Sequence, residues 1–187
     1  MKSNITTKTN NFGFSLIETL VAITLLVTVV SGVLGIANRS LRLTGIAREQ
    51  LIAFYLAQEP IEYIRFVRDS NRLQTPPKPW LEDLDECISD DWSVTCTIDG
   101  LITDYPPDND SIKTCSGKCV PIRFSPSKGL YSYETGGDWA ASKYTRTTSI
   151  KHPADVLTDE IAIRVTVSWN VGTSIRTVEA RENILNW

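Results

Sequence analysis

The residues able to do chemistry in this 187-residue chain are few and scattered. Asp104, Asp108 and Asp110 gather in a Pro-rich stretch, and carboxylate oxygens are the ligands calcium prefers. Their spacing is not that of an EF-hand, so a solvated acidic loop is the expected state, with calcium in the 104–110 loop as the alternative. Four cysteines, Cys87, Cys96, Cys115 and Cys119, can form two disulfides, with three connectivities open, or can ligate zinc as thiolates. A zinc site of this kind usually needs two closely spaced pairs, and only Cys115 with Cys119 qualifies. The single histidine, His152, stands before a proline and is expected at the surface rather than as a base or ligand. No phosphate-binding glycine loop, nucleophile elbow or metalloprotease motif is present. The expectation is therefore no catalytic residue, no resident metal or cofactor, and no enzymatic activity. The net charge of −3 comes without a long block of like charge, so no nucleic-acid surface is expected.

One further carboxylate stands in unusual company. Glu18 sits at the edge of an apolar run, and from Thr19 to Asn38 there is no charged side chain. That length suffices for a helix to cross a hydrocarbon core of about 30 Å. A plain membrane anchor explains the run but not the acid, which costs a few kcal/mol if drawn deep. Ser15-x-x-Glu18 matches a helix capping box, and an acid in the first turn suits the helix dipole, so Glu18 alone decides nothing. A secretory signal peptide is the second reading, with Gly35-Ile36-Ala37 as its cleavage site, but the apolar region is longer than such peptides use.

The whole string Gly13-Phe14-Ser15-Leu16-Ile17-Glu18 resembles the processing motif of type IV prepilins and pseudopilins. The resemblance implies a cytoplasmic leader, cleavage between Gly13 and Phe14 by the prepilin peptidase, and N-methylation of Phe14. Glu18 becomes the fifth residue of the mature chain, where the family places its assembly glutamate. A glycine before the cut leaves room for backbone in a protease cleft. The glutamate would pair with the N-terminal amine of a neighbouring subunit, which relieves the cost of a carboxylate in an apolar filament core. Flanking charge does not set the orientation, since Lys2 and Lys8 precede the span and Arg39, Arg42 and Arg48 follow it. The motif implies a cytoplasmic N-terminus and an extracytoplasmic head, a compartment in which the cysteines form disulfides.

Beyond the span the helix is expected to continue. Leu43, Ala47, Leu51, Phe54, Ala57, Ile61, Ile64 and Val67 step by three or four and form one apolar stripe. Glu62 and Arg65 form an i,i+3 pair. Gly32 and Gly35 weaken the helix in the span, either to let it loosen during assembly or to let helices pack closely. Pro60 removes the hydrogen bond to the Leu56 carbonyl and is expected to kink the rod. The block Ala57 to Arg65 followed by Arg68-Asp69-Ser70-Asn71 resembles a segment of one group of minor pilins, in which a glycine commonly stands at the position of Pro60.

Pro76-Pro77-Lys78-Pro79 ends the rod. Strands are then expected at Trp92 to Ile98, Val120 to Phe124, Leu130 to Tyr133 and Tyr144 to Lys151. Ile161, Ile163, Val165, Val167 and Trp169 alternate along one strand, and a turn at Asn170 to Thr173 leads to a last strand over Ile175 to Ile184. The ending, with Trp169 and the closing Asn186-Trp187, resembles the same minor pilins. For the cysteines, near-neighbour pairing is favoured: Cys87 with Cys96, and Cys115 with Cys119.

The expected fold is α+β and type IV pilin-like, with a long N-terminal helix, transmembrane in its first half, packed on an antiparallel β-sheet head. The segments are a leader over 1–13, the membrane half of the helix over 14–37, its amphipathic half over 38–71, a linker over 72–91, and the head over 92–187. The expected function is that of a minor pilin-like structural subunit. Its partners would be the prepilin peptidase, other pilin or pseudopilin subunits, the inner-membrane assembly platform and membrane lipid. The alternatives are a pseudopilin of a type II secretion or DNA-uptake system, some of whose relatives bind calcium in a loop, and a membrane-anchored surface binding module that never polymerises.

Overall fold

The structure is a computed structural model and describes residues 13, 15–101, 111–152 and 159–187. The chain divides into two units, Met1–Gly45 and Ile46–Trp187. One helix, α1 (Leu16–Leu73), contributes to both.

In the first unit every described helical residue is exposed, including the large apolar side chains from Leu16 to Leu43. Among the described residues α1 is the one helix long and apolar enough to cross a membrane. Its threonines are already provided for. The hydroxyls of Thr19, Thr24 and Thr28 donate to the carbonyls of Leu16, Val21 and Thr24 at 2.8, 2.8 and 2.5 Å. Such back-bonding removes the desolvation cost a free hydroxyl would bring into lipid.

In the second unit, α1 meets a sheet of eight strands: β1 (Ile88–Ser89), β2 (Cys96–Ile98), β3 (Ile112–Thr114), β4 (Pro121–Ser125), β5 (Leu130–Ser132), β6 (Ala140–Lys151), β7 (Glu160–Val171) and β8 (Ser174–Leu185). The sheet is antiparallel except for β1, which runs parallel to β6. β7 lies between β6 and β8, and its alternation is as expected, with Ile161, Ile163, Val165, Val167 and Trp169 buried. The β7–β8 loop is Gly172-Thr173, with Gly172 at φ 61°, the first central position where a two-residue hairpin favours glycine. This is the α+β, pilin-like layout, a long apolar N-terminal helix packed on an antiparallel sheet.

Three details differ from expectation. The stripe that packs on the sheet is Ala53, Leu56, Ala57, Pro60, Ile61, Ile64 and Val67, while Leu43, Ala47, Leu51 and Phe54 are exposed. The buried positions 53, 56, 57, 60, 61, 64 and 67 recur at helical spacing, and Leu51 and Phe54 fall outside that face. Only Cys96–Ile98 of the expected strand from Trp92 joins the ladder. Trp92 adopts φ 66°, a left-handed conformation that interrupts an extended chain, and Asp91 caps the bend by accepting the Ser93 amide at 3.0 Å. The segment 72–91 is packed rather than free. Trp80, Leu84 and Cys87 enter the core, and the Asn71 amide, at the end of the minor-pilin-like block, donates to the Glu82 carbonyl at 2.8 Å.

Candidate functional site

The N-terminal site is a junction between irregular chain and helix. Gly13 is exposed and outside any regular element, and Phe14 lies outside the described residues. The helix starts at Leu16, where the Ser15 carbonyl accepts the amides of Glu18 at 3.0 Å and Thr19 at 3.2 Å. The expected cut between Gly13 and Phe14 lies ahead of Leu16, the first residue of α1. Glu18 stands in that first turn, exposed, and makes no ion pair among the described residues. A Cβ added at Gly32 or Gly35 would meet nothing within 4 Å, so packing within the chain does not require either glycine.

A second constellation holds the helix on the head, and it grows from Pro60. Proline has no N–H, so the Leu56 carbonyl loses its helical donor. That carbonyl is buried with Leu56, and Arg146 supplies the donor from β6 at 3.0 Å. The Arg146 side chain has no exposure. It also donates to Glu59 at 2.9 Å and, by a short hydrogen bond, to the Ile98 carbonyl. Glu59 in turn accepts the Gly100 amide at 2.9 Å. A Cβ at Gly100 would come within 2.7 Å of the Glu59 side chain, so any larger residue here would displace Glu59. Beside it the buried Asp99 accepts the Ser132 hydroxyl at 2.5 Å and the Tyr133 amide at 2.7 Å. The Tyr133 ring lies 5.5 Å from the guanidinium carbon. Burial opposes the charge on Arg146, but Glu59 and Tyr133 together outweigh it and the guanidinium is held above its usual range. Burial likewise pushes the Tyr133 phenol up.

The other end of the helix is strapped to the last strand. Arg65 pairs with Glu62 at 2.7 Å, as its spacing predicts, and also with Glu182 of β8. Arg68 donates to the Leu185 carbonyl and Arg72 to that of Trp187, each at 3.1 Å, and Arg68 lies over the Trp187 ring at 5.1 Å. The closing Asn186-Trp187 is thereby tied to the arginine face of α1.

The cysteines form two disulfides, Cys87–Cys96 and Cys115–Cys119, with Cα separations of 5.7 and 4.9 Å. The first joins the end of the packed 72–91 segment to β2, and the second closes a tight loop before β4. His152 is half-buried, and its amide donates to the Ser89 carbonyl at 3.3 Å. Trp139 packs into the head with Lys128 over its ring at 5.1 Å. Asp104, Asp108 and Asp110 lie outside the described residues. Among the described residues no group of three metal-ligating side chains comes together.

Sequence reasoning singled out Gly13, Phe14, Glu18 and the cysteines, and it named the Leu56 carbonyl as the one Pro60 deprives. It did not find Arg146 and Glu59. The signal was available: an orphaned buried carbonyl requires a donor, and Arg146 stands at the core-facing parity of β6 between Tyr144 and Thr148.

The exposed apolar helix near the N-terminus, with a glutamate in its first turn, fits a membrane-anchored protein. The prokaryotic N-terminal methylation motif matches residues 8–34. That motif supports a type IV prepilin-like protein, a type IV pilin-like or pseudopilin subunit. No curated protein and no solved structure matches the chain.

Proposed function

We propose that the protein is a minor pilin-type structural subunit, cut between Gly13 and Phe14, methylated on Phe14, and built into a type IV pilus through α1. The observation that carries this is Glu18: a carboxylate at the mouth of an apolar helix, directly behind the methylation motif, without an ion-pair partner among the described residues. An isolated carboxylate in an apolar filament core is costly, and the amine of a neighbouring mature N-terminus offsets that cost. Gly32 and Gly35 support the same reading, because their missing side chains leave room for a second helix rather than for any part of this chain. The N-terminus faces the cytoplasm and the head lies outside the membrane, an environment in which two disulfides persist. The partners are the prepilin peptidase, other pilin subunits, the assembly platform of the inner membrane and lipid. The role is structural, with no reaction of its own.

The test is incorporation of Glu18→Ala into filaments. The variant is expected to be exported and processed normally but to be depleted from sheared filaments by about tenfold, the effect of losing roughly 1.4 kcal/mol of subunit pairing. Incorporation equal to that of the parent chain would remove the assembly role from Glu18.

A further inference from the structure

The outward face of the head carries a cleft of about 630 Å³, within the range of small-ligand sites. It lies where β6 changes partner. β4 leaves the edge of β6 at Pro121, opposite Thr145, and β2 joins it at Cys96, opposite Thr148. Residues of the Cys115–Cys119 loop wall the gap between those two pairings. Thr145 and Thr147 of β6 and Ser168 of β7 line the cleft, and Asn170 and the exposed Ile175 stand toward the β7–β8 hairpin. Lys118 and Lys143 also line it, and among the described residues no carboxylate does, although the chain as a whole carries a charge of −3.

Each part has a chemistry. The hydroxyls and the amide both donate and accept, as recognition of a polyol requires. An ammonium group on a lysine recognises an anion as a point charge. Lys143 is committed to Glu49 by an ion pair, whereas Lys118 is exposed and makes none among the described residues. Ile175 and Pro121 offer apolar surface to the C–H face of a sugar ring. Trp169, the aromatic residue at this site, is buried, so no face is offered for base stacking, which single-stranded nucleic acid would use. We propose that this cleft binds an acidic saccharide, with Lys118 on its carboxylate or sulfate and the threonine and serine hydroxyls on its ring hydroxyls. This goes beyond assembly and does not depend on it, since the unassembled chain carries the whole cleft.

The test is calorimetric titration of the full chain in detergent micelles with four probes: glucuronic acid, N-acetylglucosamine 6-sulfate, neutral N-acetylglucosamine and inorganic sulfate. At least one acidic sugar is expected to bind saturably, and about tenfold or more tighter than the neutral sugar and sulfate alone. Lys118→Gln is expected to weaken that binding by about tenfold, and Thr147→Val by several-fold, with unchanged thermal transitions in both surface variants. Absence of saturable binding by both acidic sugars would overturn the proposal. So would sulfate binding as tightly as the sugars, or both variants binding like the parent. Oligothymidylate binding in place of the sugars, lost in the same variants, would assign the cleft to nucleic acid and equally contradict it.

Discussion

Arg146 shows how one residue can be required by another far away in sequence. Pro60 strips the Leu56 carbonyl of its helical donor, and the guanidinium of Arg146 replaces it while pairing with Glu59. Removing one partner of a buried pair costs about 3–5 kcal/mol, because the other is left desolvated and unpaired. Arg146→Leu is therefore expected to lower head stability by about that amount in urea unfolding. In a Pro60→Ala background Leu56 regains a backbone donor, and the same substitution should cost about 1 kcal/mol less. Strict additivity in this double-mutant cycle would show that Pro60 and Arg146 are not coupled. Asp138 provides a second test. The Ser127 and Ser125 hydroxyls and the Ser127 amide, which donates at 2.9 Å, hold its carboxyl down at about 2, below the usual carboxylate range. A depressed carboxyl stabilises the fold above its unfolded pKa and loses that contribution as the pH falls through the folded value. The stability advantage over Asp138→Asn should thus be constant near neutral pH and shrink between about pH 4 and pH 2. A gap that widens on acidification would contradict the assignment.

At the scale of elements, α1 has two apolar surfaces in the head region, and only one of them meets the sheet. Ile64 and Val67 are fully buried, while Leu51 and Phe54 remain about half exposed. Ile64→Ala should then cost about 2–5 kcal/mol of head stability. Leu51→Ser and Phe54→Ser should stay within about 0.5 kcal/mol of the parent. A large loss at Leu51 in thermal or urea unfolding would mean that the sheet covers that face after all. The helix itself was legible because its apolar residues recur at helical spacing for many turns. The strand β7 was legible because its alternation is strict from Ile161 to Trp169. What stayed hidden depends on tertiary approach. The offset of the buried stripe depends on which face of α1 the sheet covers, which spacing alone does not give. The short strand at Cys96 follows from the left-handed Trp92. The core role of Trp80 and Leu84 could not be read from a segment rich in proline. At the candidate site, Gly13, Phe14 and Glu18 could be singled out from local order alone. Arg146 was not, because its partners at Glu59 and Ile98 become neighbours only after folding.

For the whole molecule, the physical division of labour follows the division of solvent. The first unit presents apolar side chains on every side, which only lipid or other subunits can cover, and the second encloses its own core behind two disulfides. The proposed role requires that the apolar helix be kept after processing, whereas a secreted protein would shed it. Intact-mass and peptide mass spectrometry of the chain purified from membranes separates the two outcomes directly. The account predicts a mature chain that begins at Phe14 with a methyl group on its amine, retaining Glu18 and the whole apolar run. A mature chain that begins at Asn38, or a chain that keeps Met1 with no Phe14 start found, would contradict it.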